Sequence, residues 1–491
     1  MRDVAAAVAL TLSVGWLGSS CTPLKDANDL NGQVTAGKQA SSGASSGSAS
    51  SGGAGNAGSG DAEAGANQTS GGDQGDGGAD PAGCPPPEQR GVELLAESGE
   101  LTLETDTAWT CQRDYRVAGN VIVAPGAALA ILPGTRVLFD ERTLLLAQRG
   151  ARLIADGTAT EPIVLTSSKE PGSRAPGDYR GVILIGDGPS HSSTVPVYGS
   201  LNDSRAHFGG GQAGDPSGSC GSLRYVRVEF AGGSVDDQSL PGAALTLAGC
   251  GSATVVDYVQ VHRGKDGIGL LGGTAPLRHV LVTNNLLGQA IEWTGGYTGT
   301  LQFVVAQSLA ASSAMQGSNS VQDPEAAPVS RPTIYNATLV GSAPPVTGQH
   351  YGLSLQFGSR AIFKNSIVQG FADAGFDLRL PAGVLKNEVG AGKAVDISHA
   401  LMSANGAAYS VDAQVLAGME SMRMQDPGLP QAALPNLEMP EAIPRFAPTD
   451  PTVNTQPAPV PAGFDATAGF RGAVPQDGID WTLGWTSYPN D

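Results

Sequence analysis

The sequence has 491 residues, of which 69 are Gly and 33 are Pro, while only 15% are charged. Charged residues make up about 25% of an average globular protein, so this composition is unusual for a cytosolic enzyme. The formal net charge of −18 argues against nucleic-acid binding, which depends on Lys and Arg, and we expect no nucleic-acid partner.

The first residues have the organisation of an export signal. Arg2 precedes an apolar stretch, residues 4–17, that is too short to span a bilayer comfortably. Residues 18–21 then resemble the end of a bacterial lipoprotein signal peptide, which is cleaved before a cysteine that becomes lipidated. We predict a signal peptide over residues 1–20 and a lipid anchor at Cys21. The alternative is an ordinary secretory signal followed by a chance cysteine.

Residues 21–90 have the composition of a flexible tether. Between residues 41 and 80 most side chains are those of Gly, Ser and Ala, and none is large and apolar. Such a segment buries nothing that would offset its conformational entropy. After a lipidated cysteine it would hold a folded domain away from a membrane. We predict a bacterial cell-envelope protein, on the outer membrane or cell surface as Thr22 suggests, with secretion as the alternative.

Four further cysteines indicate an oxidising compartment. Their positions predict the pairs Cys84–Cys111 and Cys220–Cys250, although four cysteines allow three connectivities. Four buried free thiols are the alternative. No CxxC motif and no histidine at metal-ligand spacing accompanies them, so we expect no zinc site.

From residue 120 to residue 168 short apolar strands alternate with Pro-Gly, Gly and Asp-Gly turns. The pattern predicts strands over residues 121–123, 129–132, 136–139, 143–146, 152–154 and 163–166. No stretch here is long or periodic enough for a helix, and evenly spaced short strands indicate an all-β solenoid or barrel. We predict an all-β fold, a right-handed parallel β-helix over residues 91–424.

Later strands repeat a common motif, as in LRYVRV at 223–228 and VDYVQV at 256–261. Val259 and Val280 are 21 residues apart, and Val280 and Val304 are 24 apart, which suits one three-sided rung of a solenoid. Corners of such rungs need left-handed backbone or stacked side-chain amides. We predict this corner role, rather than ligand binding, for four asparagines: Asn284, Asn285, Asn336 and Asn365.

Two long segments, residues 187–219 and 308–331, are rich in Gly, Ser, Pro and Asp, and they are predicted to be excursions from the solenoid. Residues 425–491 are Pro-rich and predict an extended strap that ends in Trp481, Trp485 and Tyr488. These aromatic residues are predicted to cap the end of the solenoid, where open strands would otherwise pair with other chains. The alternative is a platform on which sugars stack.

Several segments in a fixed order carry a resemblance: GVILIG at 181–186, LRYVRVEFAG at 223–232, DGIGLLGGT at 266–274 and DWTLGWT at 480–486. They resemble a family of secreted or lipid-anchored bacterial β-helix proteins of unassigned function. The resemblance covers most of residues 115–490. It implies a right-handed parallel β-helix, export and a surface or periplasmic role, but no substrate. The sequence departs from the family in its acidic doublets, of which only Asp266 and Glu292 remain.

No GxSxG, HExxH, P-loop or dinucleotide-binding motif occurs. A polysaccharide lyase would need a calcium-binding acidic cluster beside a basic residue, and a hydrolase would need paired carboxylates. The candidate catalytic residues are Arg263, Lys265, Asp266 and Glu292. The candidate calcium ligands are Asp236, Asp237 and Asp266. A solvated turn at Lys265 and Asp266 is the alternative.

Three functions remain open at this point. The first is non-catalytic binding of polysaccharide, matrix, another cell or another envelope protein by the β-helix surface, with the membrane reached through Cys21. The second is a polysaccharide lyase or hydrolase, which requires the candidate carboxylates and bases to converge. The third is a structural spacer without a ligand.

Overall fold

The computed structural model describes residues 83–489 except 98, 198–203, 235–241, 286–287, 309–311, 343–348, 411–422 and 430–442. The predicted signal peptide, Cys21 and the tether up to residue 82 therefore lie outside the described residues. From Pro85 onward the described residues belong to one compact unit. In these parts of the chain no helix is long and apolar enough to cross a membrane.

The chain winds as a right-handed parallel β-helix, which confirms the predicted fold class. One stack of strands, the front sheet, contains the following elements: β2 (Glu100–Leu103), β5 (Asn120–Val123), β8 (Leu144–Ala147), β11 (Gly181–Ile185), β15 (Ala243–Ala248), β17 (Asp266–Leu271), β19 (Ile291–Thr294), β21 (Ser313–Ser318), β23 (Tyr351–Gln356), β26 (Ala374–Arg379) and β29 (Ala407–Tyr409). Each pairs in parallel with the strand of the next rung.

The other two sides of the solenoid form one continuous back sheet. Its strands are β1 (Gly91–Leu95), β3 (Thr107–Trp109), β4 (Arg113–Val117), β6 (Ala128–Ile131), β7 (Arg136–Phe139), β9 (Arg152–Asp156), β10 (Ile163–Ser167), β14 (Gly221–Glu229), β16 (Val255–His262), β18 (Leu277–Asn285), β20 (Thr300–Ser308), β22 (Thr333–Gly341), β24 (Ala361–Lys364), β25 (Ile367–Gln369), β27 (Val395–Ser398), β28 (Leu401–Ser403) and β30 (Arg423–Met424). A short helix, α1 (Ala382–Asn387), follows β26. The strands predicted between residues 121 and 166 agree with the observed ones to within two residues.

The two sides of the back sheet are continuous because its long strands bend without ending. In β14, β16, β18 and β20 the bend is made by an aromatic residue with positive φ: Tyr225 (48°), Tyr258 (59°), His279 (45°) and Phe303 (58°). Parallel register places these rings above one another. Their centroids are 4.5, 4.3 and 4.8 Å apart in sequence order, so ring stacking offsets the cost of the left-handed backbone.

Asparagines continue the same line of bends. Asn336 (φ 55°) and Asn365 (φ 52°) occupy the next rungs, and Asn284 (φ 54°) makes a corner at the end of β18. The predicted corner role is confirmed for these three residues. Asn285 has no positive φ; it is buried at the end of β18 and donates a hydrogen bond from Nδ2 to the carbonyl of Gln289 at 3.2 Å.

The core is a narrow column of inward-facing side chains, one layer per rung. Trp293 of β19 is its largest fully buried member, and its Nε1 donates a hydrogen bond to Ser359 Oγ at 3.0 Å. Gly317 of β21 lies in register with Trp293, and a Cβ at Gly317 would stand 2.4 Å from the indole ring. A rung with glycine at this position therefore makes room for the indole of the rung before it.

The C-terminal strap, residues 443–489, runs along the bends of the back sheet. Asn336 Nδ2 donates a hydrogen bond to the Phe470 carbonyl at 2.6 Å, and Asn365 donates to the Ala458 carbonyl at 2.9 Å. Arg471 is fully buried and donates hydrogen bonds to backbone carbonyl groups of four residues: His399, Val453, Thr455 and Gln456. The backbone carbonyl groups of the strap thus accept hydrogen bonds from solenoid asparagines and from the buried Arg471, which also donates to the carbonyl of His399.

The prediction that Trp481, Trp485 and Tyr488 cap the end of the solenoid is wrong. Trp481 packs against His279 with ring centroids 5.2 Å apart, and Trp485 packs edge-on against Tyr225 at 5.8 Å. All three aromatic residues belong to an apolar cluster on the outside of the middle rungs. The aromatic bends form an apolar stripe on the side of the solenoid, and the strap covers that stripe.

The cysteines and the two long excursions complete the fold. Cys220 and Cys250 form a disulfide, as predicted, with Cα atoms 5.6 Å apart. Cys84 and Cys111 are also disulfide-bonded, as the second predicted pair requires. The predicted excursion 187–219 contains the antiparallel pair β12 (Val195–Pro196) and β13 (His207–Phe208). The second predicted excursion, 308–331, is wrong in its first half because it contains β21.

Candidate functional site

The outer face of the front sheet changes character along the solenoid. Parallel register aligns one outward-facing residue per rung in a single row. In chain order the row is Ile122, Leu146, Ile183, Thr246, Gly269, Glu292, Gln316, Ser354 and Asp377. The row is therefore apolar in the early rungs and polar from Thr246 onward.

The apolar part of this face is covered by the excursion 187–219. Val197, Ala206 and Phe208 from the excursion form one buried cluster with the outward-facing side chains of the early rungs. This cluster extends to Leu271 in β17. Burial of these side chains accounts for the excursion without assigning it a ligand.

The side chains of the polar part of the face form what we call the front track: Gln289, Glu292, Gln316, Tyr351, Ser354, Gln356, Asp377 and Arg379. Gln289, Ser354 and Asp377 are buried, and the other five side chains are partly or fully exposed. Gln316 Oε1 accepts hydrogen bonds from Gln289 Nε2 at 3.3 Å and Gln356 Nε2 at 3.2 Å. Gln356 Nε2 also donates to Ser354 Oγ at 3.0 Å. Side chains from three rungs are thus ordered by one another.

Asp377 organises the far end of the front track. Its carboxylate accepts a hydrogen bond from Ser354 Oγ at 2.8 Å and another from Ser410 Oγ. It also forms an ion pair with Arg379 Nε at 2.9 Å. The Arg379 guanidinium lies 5.3 Å from the centre of the Tyr351 ring, so the track ends in a flat surface of ring and guanidinium.

Two carboxyl groups lie at the other end, where the track meets the preceding rung. Glu292 is partly exposed on β19, and Asp266 is buried at the start of β17. Among the described residues Asp266 Oδ1 has no hydrogen-bond partner, and it is completely enclosed. An unpartnered buried carboxyl group costs desolvation free energy.

Both carboxyl groups hold protons more tightly than in water. Burial raises the pKa of Glu292 from 4.5 to about 7. Burial, and then the charge of Glu292, raise the pKa of Asp266 well above its usual value, while the ammonium group of Lys265 opposes this shift. The two groups interact electrostatically, so near neutral pH the pair shares ionisation rather than carrying two full charges.

Two glycines make the space that these carboxyl groups occupy. A Cβ at Gly288 would stand 1.2 Å from Asp266 Oδ1, so the Asp266 carboxyl group lies directly on the Gly288 backbone. A Cβ at Gly269 would stand 3.7 Å from Glu292 Oε1. Glu292 therefore leans over the preceding rung, toward the rung that carries Asp266.

The structure brings together some of the predicted site residues. Asp266 and Glu292 interact, and Lys265 is close enough to act on Asp266, with its aliphatic chain against Gly177. Arg263 directly follows β16 at a corner with φ 52°. The calcium candidates Asp236 and Asp237 lie outside the described residues. Within the described ranges no three His, Cys, Asp or Glu side chains are arranged to hold a metal ion.

The sequence did not point to the polar residues of the track beyond Glu292. Gln316 follows Glu292 by 24 residues, a spacing that matches one rung, but Ser354 follows Gln316 by 38. The long loop after β21 breaks the regular spacing, so only the strand register shows that these residues share a row.

Comparisons with known proteins give one family and one solved structure. A family model described as pectate-lyase like beta helix domain matches residues 99–425. No curated protein matches the sequence. The catalytic domain of a GH87 alpha-1,3-glucanase in complex with tetrasaccharides aligns at 8% identity with a TM-score of 0.25. That alignment covers 66% of this chain and 62% of the glucanase chain.

Proposed function

This chain belongs to the family of pectate-lyase-like β-helix domains, and we propose that it is a lipid-anchored protein of the bacterial cell envelope that binds polysaccharide along the front track. The observation that carries the proposal is the ordered polar surface between Gln289 and Arg379. Earlier in the row, Ile122, Leu146 and Ile183 are apolar and are covered by the excursion 187–219.

The geometry of the front track suits an extended chain of hydroxyl groups. Successive rungs are ~4.8 Å apart, so the track offers a new set of donors and acceptors at each step along the solenoid. Amide and carboxylate side chains fix one another, which reduces the entropy lost when they bind a ligand. Tyr351 with Arg379 adds a flat surface for a sugar ring.

The charges favour an uncharged polysaccharide. The chain carries a net charge of −18, and the track contains Glu292 and Asp377. The cation of the track, Arg379, is already paired with Asp377. A polyanion would meet repulsion over most of this surface, whereas the hydroxyl groups of a neutral glycan can both donate to and accept from it.

The binding experiment is a polysaccharide array probed with the purified protein, with and without added calcium. The double variant Gln316→Ala/Arg379→Ala should bind at least about tenfold more weakly, because several bonds that orient the sugar are lost. Arg152→Ala is the matched control, since Arg152 is exposed on β9 of the back sheet. Binding by the double variant equal to that of the wild type would contradict the proposal. If the wild type bound no polysaccharide on the array, the result would favour a structural spacer.

The envelope location is tested separately. The proposal rests on the apolar residues 4–17 and the small residues before Cys21. Cys21→Ala should abolish fatty-acid labelling in a bacterial host and move the protein from the membrane fraction to the soluble fraction. Thr22→Ala is the control that keeps the lipidated cysteine. Unchanged fractionation of Cys21→Ala would leave secretion, or another mode of attachment, as the explanation.

A further inference from the structure

We propose that Tyr225 and Tyr258 form an oxidative modification site, at which an oxidant of the peroxide class joins the two phenol rings into a dityrosine cross-link within one chain. Tyr225 belongs to β14 and Tyr258 to β16, so the cross-link ties two neighbouring rungs of the back sheet together. The site lies on the strap side of the solenoid, and it does not depend on polysaccharide binding to the front track.

The two phenol rings lie face to face. The register of β14 with β16 pairs the residues on both sides of Tyr225 with those on both sides of Tyr258, so the two tyrosines stand opposite one another. Their ring centroids are 4.5 Å apart, and their ring planes are inclined by 11°. Because the strands are parallel, both side chains point the same way, and the hydroxyl-bearing ends of the rings lie together. Dityrosine forms between ring carbons next to the hydroxyl groups, and these carbons belong to facing rings before any oxidation.

The surroundings keep the two rings in this arrangement. Both tyrosines occupy backbone bends with positive φ, at 48° and 59°. Trp485 of the strap meets both rings edge-on, with its ring centroid 5.8 Å from that of Tyr225 and 6.2 Å from that of Tyr258. His279 stacks on the other face of Tyr258 at 4.3 Å. A pair held in this way has a high effective concentration of one ring beside the other, which favours coupling within the pair over coupling between molecules.

The pair is accessible, and it is distinct from the other tyrosines. Both side chains are partly exposed, so a small oxidant in solution reaches them. Burial, and then the charge of Tyr225, raise the pKa of Tyr258, so that Tyr258 is a neutral phenol at physiological pH and releases its proton when it is oxidised. Within the described ranges no other two tyrosine rings contact each other, because the remaining ring contacts of tyrosines are with other aromatic residues.

The reaction balances with one peroxide for each cross-link. Oxidation of each phenol removes one electron and one proton and leaves a phenoxyl radical. The two radicals form one carbon–carbon bond, and the hydrogens on the bonded carbons then move to the oxygens, which restores two phenols. The O–O bond of the peroxide breaks as it takes up both electrons. Hydrogen peroxide becomes two water molecules by also taking up the two protons.

The disulfide Cys220–Cys250 lies beside this site. Cys220 directly precedes β14, and Cys250 lies between β15 and β16. Disulfides belong to oxidising compartments, where peroxides and other oxidants also act. A dityrosine between β14 and β16 is a second covalent link in the same part of the solenoid. Thiol reductants open the disulfide but not the carbon–carbon bond, so this link persists when the disulfide is reduced.

The experiment oxidises the purified protein with tris(bipyridyl)ruthenium(II), light and persulfate, which is the peroxide that takes up the electrons. We expect dityrosine fluorescence in the monomer band of a reducing gel. Mass spectrometry should find a linked pair of peptides that contains Tyr225 and Tyr258 and lacks two hydrogen atoms. Tyr258→Phe keeps the stacked ring without its phenol, and it should lower the monomer fluorescence at least about tenfold, because the facing partner is lost.

Tyr409→Phe is the matched control, since Tyr409 is partly exposed and stacks on Phe376 rather than on a tyrosine. It should retain the wild-type yield of dityrosine. Tyr225→Phe should cause the same loss as Tyr258→Phe, and a loss in only one of these two variants would overturn the proposal. Unchanged monomer fluorescence in both would also overturn it, as would dityrosine found only between chains or oxidation confined to tryptophan. Urea unfolding before oxidation checks that the variants are folded.

Discussion

The carboxyl group of Asp266 rests on the backbone of Gly288, so that a Cβ at Gly288 would stand 1.2 Å from Asp266 Oδ1. Gly288→Ala must therefore displace Asp266. Overpacking should lower the free energy of unfolding by about 1–3 kcal/mol.

The control for this prediction is Gly383→Ala in α1, where an added Cβ meets nothing within 4 Å. Both variants are compared with the wild type in urea unfolding. A Gly288→Ala variant as stable as the wild type would show that the Asp266 carboxyl group can move aside without cost.

The raised pKa of Glu292 predicts that the free energy of unfolding depends on pH. Its pKa of about 7 in the folded protein exceeds the ordinary value of 4.5, so the native state holds a proton that the unfolded chain releases earlier. The resulting stabilisation is fully present below the unfolded pKa and is lost as the pH rises through about 7. Urea unfolding of the wild type should show a decrease over this window that is smaller in Glu292→Gln. Equal pH profiles for the two proteins would contradict the raised pKa.

The contacts of Trp481 predict that this residue stabilises the strap against the solenoid. Its ring packs on His279, and its Nε1 donates a hydrogen bond to the Ala473 carbonyl at 2.8 Å. Trp481→Ala should lower the free energy of unfolding by about 3–5 kcal/mol and expose residues 443–489 to protease. Ile479→Ala, at a side chain that is 87% exposed, should change neither. If Trp481→Ala resisted protease as the wild type does, the strap would be held without its aromatic contacts.

The disulfide Cys220–Cys250 closes a loop over a sequence separation of 30 residues. Replacing both cysteines with alanine should lower the free energy of unfolding by about 3–4 kcal/mol, mainly because the unfolded chain gains entropy. Thermal unfolding of the variant and of the wild type, each with and without reductant, measures this. A variant as stable as the oxidised wild type would mean that strand pairing alone fixes this rung.

Much of the fold could be predicted from the sequence because its signals are local. Between residues 120 and 168 each apolar strand is bounded by a Gly or Pro turn, so strand positions follow directly. The corner role of Asn336 and Asn365 could be predicted in the same way, since asparagine adopts left-handed backbone readily. Aromatic residues at bends, such as Tyr258 and Phe303, carry no such local signal.

The placement of the strap and of the candidate site depended on contacts between distant residues. The apolar stripe that Trp481 covers exists only once Tyr258 and His279 stack in register. The sequence alone therefore could not show whether the aromatic residues of the strap cover the end of the solenoid or its side. Asp266 and Glu292 were recognised as candidates because one rung separates them. Gln316 and Asp377 were not, because loops of different length separate the rungs.

The most direct test of the central claim is the crystal structure of the protein soaked with an oligosaccharide of a polysaccharide that it binds. The account predicts sugar density along the front track, in contact with Gln316, Gln356 or Arg379 and extending toward Glu292. Density on the strap side of the solenoid, or on the back sheet, with an empty front track would contradict it.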